Sequence, residues 1–414
     1  MPAHGKNKVL GNASALFIIQ LSNYVLPFLL TPYLTRVLGS ETYGIAAIGF
    51  SIVQLSGVLT DYGFGLYATY LIAKSQNCKK TIKGIIGSVY ACKAIILSIN
   101  FAIISLLPYF NERFLEHKEY FWTLNIAIIG IALQPVWIFQ GLEKMRLITI
   151  YTVISRIVFL FLCIALVRAN DDLIWVAISN GASQILAAGL GLWFVFKLEY
   201  KPIWRGWGYT FSIFKESSEF FISRAAVATY GAGATFFLGI ASTPTQVAFY
   251  SVAEQFYRGA ISVFSPISQA LYPHMAKSRD IEFFKKIFLL AVIATLLGVT
   301  LGFIFGESLL TLIFGIEYIH SKPVLLILLI ALLAAIPSIL LGYPFLGAIG
   351  DSRSANKSVI YAGTTQLSLM AVCVITKNTQ ATDIAITVLI AEFTTLTYRA
   401  IIARKHYKII KSQK

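Results

Sequence analysis

Apolar runs long enough to cross a bilayer recur from one end of this chain to the other, and no other feature limits its fold so tightly. A transmembrane helix needs about 17–25 mostly apolar residues. Runs of that kind fall at about 13–34, 44–64, 84–108, 121–141, 149–168, 173–196, 218–240, 246–275, 285–306, 323–345, 356–376 and 384–403. Inside a bilayer every backbone N–H and C=O needs an internal partner, so each run is expected as a helix. Only 13% of the 414 residues are charged, about half the share of a soluble domain. The expectation is an all-α integral membrane protein of about twelve transmembrane helices. The connections are short and leave no room for a separate soluble domain. The apolar run after the basic N-terminus is longer than a cleavable signal core, so it is expected to remain as the first span.

Lysine and arginine fall on alternate connections. With the N-terminus in the cytoplasm, that side collects Lys6 and Lys8, Lys74 to Lys83, Lys144 and Arg146, Lys197 to Lys215, Lys277 to Lys286, Arg353 and Lys357, and the tail from Arg404 to Lys414. The opposite side holds Arg36, Arg113, Lys118, Arg168, Lys322 and Lys377. This bias sets the orientation and accounts for most of the net charge of +15 without a nucleic-acid partner. The four cysteines have no CxxC spacing and the five histidines are scattered, so neither a disulfide framework nor a metal site is expected.

Lys197 to Ser217 breaks the rhythm. Trp204 and Trp207 alternate there with Lys201, Arg205 and Lys215, a mixture that suits an interfacial helix on the cytoplasmic leaflet. It divides the chain into an N-terminal lobe (1–196), a linker (197–217) and a C-terminal lobe (218–414), with six spans in each lobe. The halves are faintly alike. Glu41-Thr42-Tyr43-Gly44 opens span two, and Gln246-Val247-Ala248-Phe249-Tyr250 opens span eight. Gly141, Glu143, Lys144 and Arg146 follow span four, and Gly350, Asp351 and Arg353 follow span ten. Even-numbered halves share orientation, so such a repeat relates them by a pseudo-two-fold axis along the membrane normal, an arrangement found in transporters.

Charges inside the spans are the candidate site. Glu254 and Arg258 lie four residues apart on one face of span eight. Charge at that depth is costly, so it belongs in a bundle interior or a wet cavity. Lys93, Arg156, Arg224 and Arg399 lie within about 5–9 residues of a cytoplasmic end, near enough to snorkel, or else face the interior. Glu392 and Glu254 are the deep acids, with Asp61 and Glu219 nearer span ends. Five bases against two deep acids leave positive charge in excess, which points to an anionic ligand. Glu392 and Glu254 could alternatively carry protons or pack as neutral groups. Gln20, Asn23, Tyr24, Gln54, Asp61 and Tyr62 add polar groups to the first two spans. Pro27, Pro32, Pro266 and Pro273 supply kinks.

Three stretches resemble a known family. The first is Arg36-Val37-Leu38-Gly39-Ser40-Glu41-Thr42-Tyr43-Gly44, with Asp61-Tyr62-Gly63-Phe64-Gly65 after it. The second is Pro135-Val136-Trp137-Ile138-Phe139-Gln140-Gly141-Leu142-Glu143-Lys144-Met145. The third is Tyr250-Ser251-Val252-Ala253-Glu254, continuing to Pro266-Ile267-Ser268-Gln269-Ala270-Leu271-Tyr272-Pro273. Together they resemble the Wzx-type O-antigen flippases, the polysaccharide transporters of the MOP exporter superfamily. The resemblance implies a MATE-like, V-shaped pair of six-helix lobes around a cationic cavity, in a bacterial inner membrane with both termini cytoplasmic. It implies an undecaprenyl-pyrophosphate-linked oligosaccharide, carried to the periplasmic leaflet by alternating access on an ion gradient. It implies no cofactor and no covalent chemistry, and leaves open whether a polysaccharide polymerase and chain-length regulator assist. Arg224, Arg258, Glu254, Arg156, Lys93 and Asp61 are then the cavity candidates, and Glu392 and Glu254 the coupling candidates. Ser40 and Gln255 depart from the family pattern, which commonly has proline and lysine at those positions. A MATE-like antiporter for small cations is the alternative transporter, but it should carry surplus acids. A membrane-embedded polymerase or glycosyltransferase usually needs a long extracytoplasmic loop or an exposed acidic cluster. The loops near 109–120 and 307–322 are short and are not expected to carry a catalytic paired-acid motif.

Overall fold

A computed structural model describes the backbone of residues 3–412. It describes the side chains of residues 27–407 except Ile222, Ser223, Ala226, Val227, Thr229 and Tyr230. Among the described residues the chain is helical, with no strand. The first half comprises α1 (Ala3–Asp61), α2 (Phe64–Lys74), α3 (Lys79–Leu106), the short α4 (Glu112–Glu116), α5 (Lys118–Leu133), α6 (Val136–Gly141), α7 (Met145–Leu166) and α8 (Leu173–Lys197). The second comprises α9 (Trp207–Tyr230), α10 (Ala232–Ala241), α11 (Pro244–Ser278), α12 (Ile281–Phe314), α13 (Lys322–Leu340), α14 (Ser352–Ile375) and α15 (Ala381–Ser412).

Nine stretches among the described residues are long and apolar enough to cross a membrane. The first, Pro27–Lys74, takes in the end of one passage and the whole of the next, because α1 (Ala3–Asp61) is broken within it at Gly39 (φ 70°, ψ 176°). That φ is left-handed, where glycine carries no Cβ penalty. A second break at Tyr62 and Gly63 (φ 43° and 79°) separates α1 from α2, so the second passage runs on to Lys74. Helices α9 and α10 follow one another across Gly231. Helix α11, at 35 residues, is long enough to span yet falls short of the apolarity of the nine. Counting these brings the described residues to twelve helical passages.

The expected interfacial helix at 197–217 is not present as such. Helix α8 stops at Lys197, residues 201–206 are non-helical, and Trp207 already opens α9. Pro202 has no N–H to continue a helix, and Gly206 takes φ 91°. The strap is tied down where the Ile203 N–H donates to the Lys83 carbonyl at 3.0 Å. Trp204 and Trp207, both exposed, meet edge to face at 5.3 Å.

The chain folds as two compact units. One is Met1–Leu38 with Gly49–Ala225, and the other is Gly39–Ile48 with Ala226–Lys414. The core of the first gathers Phe64, Ala68 and Ile72 of α2, Ile85, Ile86 and Val89 of α3, and Trp137, Ile138 and Phe139 of α6. The Trp137-Ile138-Phe139 run is therefore packing. Thr69 Oγ1 donates to the Trp137 carbonyl at 3.1 Å, and a Cβ on Gly141 would meet Ile72 at 2.7 Å. In the second unit α13 is the central helix, buried along most of its length. The segment Gly39–Ile48 belongs to this unit: the Ser40 N–H donates to Glu317 Oε2 at 3.2 Å, and Tyr43 meets Tyr318 at 6.4 Å.

Candidate functional site

The i, i+4 spacing on α11 brings Arg258 Nη2 to 2.9 Å from Glu254 Oε1. The other carboxylate oxygen accepts from Thr235 Oγ1 of α10 at 3.2 Å. Glu254 is thus held from two helices, while 38% of the Arg258 side chain is exposed. A guanidinium has five N–H donors, so this pairing leaves others available to a ligand.

In the first unit the break at Tyr62 and Gly63 sets Asp61 beside Arg224 of α9, with Nη1 to Oδ2 at 3.1 Å. The Tyr62 ring lies stacked against Phe214 at 4.4 Å and Phe221 at 4.6 Å. That stack fixes the start of α9 against the end of α1 and so fixes the pair. Arg224 is exposed.

The remaining bases make their close contacts elsewhere, although Lys93 lies within electrostatic reach of Asp61 and Arg399 of Glu392. Lys93 is only 5% exposed and donates to the Ala132 carbonyl at 3.0 Å. Arg399 is 8% exposed; its Nε donates to Ser358 Oγ at 2.7 Å and its Nη1 to the Ser338 carbonyl at 2.8 Å. Neither snorkels. Arg156 is half-buried on α7. Glu392 is buried on α15 and accepts from the Tyr257 hydroxyl at 2.6 Å.

The five intramembrane bases are therefore not one pool of free charge. Two are ion-paired, and two are turned inward onto neutral oxygens. Thr235 and Tyr257, which hold the two deep acids, were not among the sequence candidates. Tyr257 adjoins Arg258 in the chain, but nothing in the local pattern says that it reaches α15. The side chains of Gln20, Asn23 and Tyr24 lie outside the described residues.

A helical membrane protein with partly exposed ion pairs on its long helices is the class these features define. Its fold is that of the MOP-superfamily transporters. A lipid II flippase MurJ in an inward closed conformation matches with a TM-score of 0.75 at 12% identity, over 95% of this chain and 87% of that one. An inward-facing multidrug-resistance MATE transporter matches with a TM-score of 0.72 at 14% identity, over 97% and 99%. The model of the polysaccharide biosynthesis protein family matches residues 9–279, and the chain belongs to that family. Two relatives carry the provisional name O-antigen transporter. The one from Escherichia coli (strain K12) is 27% identical over 77% of this chain and 78% of its own length. The one from Shigella dysenteriae is 28% identical over 74% and 78%.

Proposed function

We propose that this chain is a flippase for an undecaprenyl-pyrophosphate-linked oligosaccharide, an O-antigen repeat unit. It moves its cargo from the cytoplasmic to the periplasmic leaflet of the inner membrane. The observation that carries this reading is family membership, together with relatives named as O-antigen transporters. Arg224 and Arg258 supply the chemistry: each is oriented by a carboxylate and keeps part of its side chain exposed. A pyrophosphate competes well for such groups, because charge-assisted bonds from arginine to phosphate oxygens are among the strongest hydrogen bonds in proteins. Arg156 is a further contact. The halves 1–196 and 218–414, joined by 197–217, act as the lobes of an alternating-access cycle, with both termini cytoplasmic. Glu392, held by Tyr257, is the coupling acid. The product is delivered to a polymerase and its chain-length regulator.

A multidrug antiporter is the second reading, favoured by the likeness to the MATE fold. Lipid-linked intermediates separate the two. Deleting the protein from its host should leave complete, unpolymerised repeat units on the inner leaflet of the inner membrane. Normal surface polymer in the deletion, with altered drug efflux, would favour the antiporter.

A further inference from the structure

Each unit contains an apolar passage whose interruption is closed by a buried cation from another helix. In the first unit α5 stops at Leu133. Gln134 turns to extended backbone (ψ 129°), and Pro135 brings no N–H before α6 resumes. In the second unit α13 stops at Leu340, and a π-helical turn runs over Leu341–Gly347 with Gly342 at ψ −118°. Both breaks lie inside membrane-length stretches, Lys118–Gly141 and Ile316–Gly347. They occupy the fourth and tenth passages, whose following loops share the glycine and charge pattern noted in the sequence.

A helix that ends leaves up to four carbonyls without intrahelical partners. In an apolar surround an unsatisfied carbonyl has no water to replace the lost bond and is strongly disfavoured. The partial negative charge of a helix C-terminus makes a cation the preferred partner. In the first unit Lys93 Nζ donates to the Ala132 carbonyl at 3.0 Å, and the Tyr90 hydroxyl, one turn earlier on α3, donates to the Leu133 carbonyl at 3.0 Å. In the second unit Arg399 Nη1 donates to the Ser338 carbonyl at 2.8 Å and to Ser338 Oγ at 3.3 Å, Nη2 to the Ala355 carbonyl at 3.3 Å and Nε to Ser358 Oγ at 2.7 Å. The Ser338 carbonyl also accepts from the Leu341 N–H that closes α13, so there the guanidinium reinforces a carbonyl already bonded within the helix. One guanidinium thus joins the end of α13 to the start of α14. Gly342 makes room for it, since a Cβ there would stand 2.8 Å from Nη1.

We infer that Lys93 and Arg399 are positioning residues, internal C-terminal caps that hold the two interrupted passages open as hinges for transport. Neither is a ligand of the cargo. Long side chains can follow their carbonyls as the break flexes, so the cap survives the motion. The consequence for transport rests on the flippase reading, whereas the capping does not.

Hydrogen exchange on protein in lipid nanodiscs reads the caps directly. Lys93→Met should speed exchange of the last-turn amides of α5 at least tenfold and leave α13 unchanged. Arg399→Met should do the converse. Lys93→Arg should restore α5, because one acceptor needs only one donor. Arg399→Lys should fail, because a single ammonium cannot span acceptors on Ser338, Ala355 and Ser358 together. If Lys93→Met is poorly folded, Tyr90→Phe provides the milder test at the same turn, with a smaller rise in exchange. Binding of undecaprenyl pyrophosphate, used as the probe, should stay within twofold in Lys93→Met while surface polymer falls at least tenfold. Unchanged exchange in both Met variants, or loss of probe binding in Lys93→Met, overturns the inference. If the wild-type protein neither binds the probe nor supports polymer, the flippase reading fails and the exchange result still decides the caps.

Discussion

Arg258 and Glu254 show how one residue's meaning depends on its partner. A lone guanidinium in a spanning helix is a large electrostatic cost, and pairing it at 2.9 Å with a carboxylate held by Thr235 removes much of that cost. The pair could therefore exist for folding alone. The double variant Arg258→Met/Glu254→Gln separates the roles, since it leaves no unpaired charge and should insert and fold. We expect it to lose at least tenfold in surface polymer, and Arg224→Ala to do the same. Wild-type polymer from the double variant, at matched protein levels in the membrane, would reduce the pair to a structural bond. The same dependence on partners applies to Trp137-Ile138-Phe139. As a sequence motif it marks the family, but in space it is fully buried packing against α2 and α3. Truncating Trp137 would cost about 3–5 kcal/mol of stability and touch no ligand.

At the scale of elements, the connection after the tenth passage is tied to the C-terminal helix. Asp351 caps α14 by accepting from the Ser354 N–H at 3.1 Å, and it meets His406 Nε2 of α15 at 3.0 Å. Partial burial pushes the Asp351 carboxyl up, but the bonds from Ser354 and His406 outweigh it and hold the group below its ordinary value. A carboxyl with a depressed folded-state pKa stabilises the fold above its unfolded value of about 4 and loses that contribution as pH falls through the depressed one. Thermal melting should therefore decline on the acid side of about pH 4, by no more than ~1 kcal/mol for so open a pair. Asp351→Asn should flatten that decline; an acid limb identical to wild type would remove the tie. Helix α11 is the other element with a distinct character. It is long enough to span but less apolar than the nine; it buries mainly apolar residues and keeps Glu254 and Arg258 on a partly exposed face.

For the whole molecule, the alternation of basic loops sets an orientation that reporter fusions can read. Alkaline phosphatase joined after residue 113 or residue 318 should be active, and joined at the C-terminus inactive. The reverse pattern would invert the proposed direction of transport. Ion coupling is likewise a property of the whole cycle. Glu392→Gln keeps the hydrogen bond to Tyr257 and removes the exchangeable proton. Transport in vesicles should lose its dependence on a pH gradient, and a retained dependence would relieve Glu392 of that role.

The sequence by itself determined the class of fold, the number of passages and the alternation of basic loops, because a bilayer reads length, apolarity and charge locally, one segment at a time. It also determined the spacing of Glu254 and Arg258, since i, i+4 is a property of one helix. Only the tertiary structure decided that Asp61 faces Arg224, that Tyr257 holds Glu392, and that Lys93 and Arg399 turn inward onto broken helices rather than outward to headgroups. Those outcomes join residues that lie far apart in the chain, from 39 positions between Lys93 and Ala132 to 163 between Asp61 and Arg224. Each depends on which face a helix turns to its neighbour, and no local pattern encodes that. The strap at 201–206 follows the same logic: its Trp and Lys content is legible in the sequence, but its non-helical path depends on Pro202, Gly206 and a hydrogen bond to Lys83 that only the packed fold supplies.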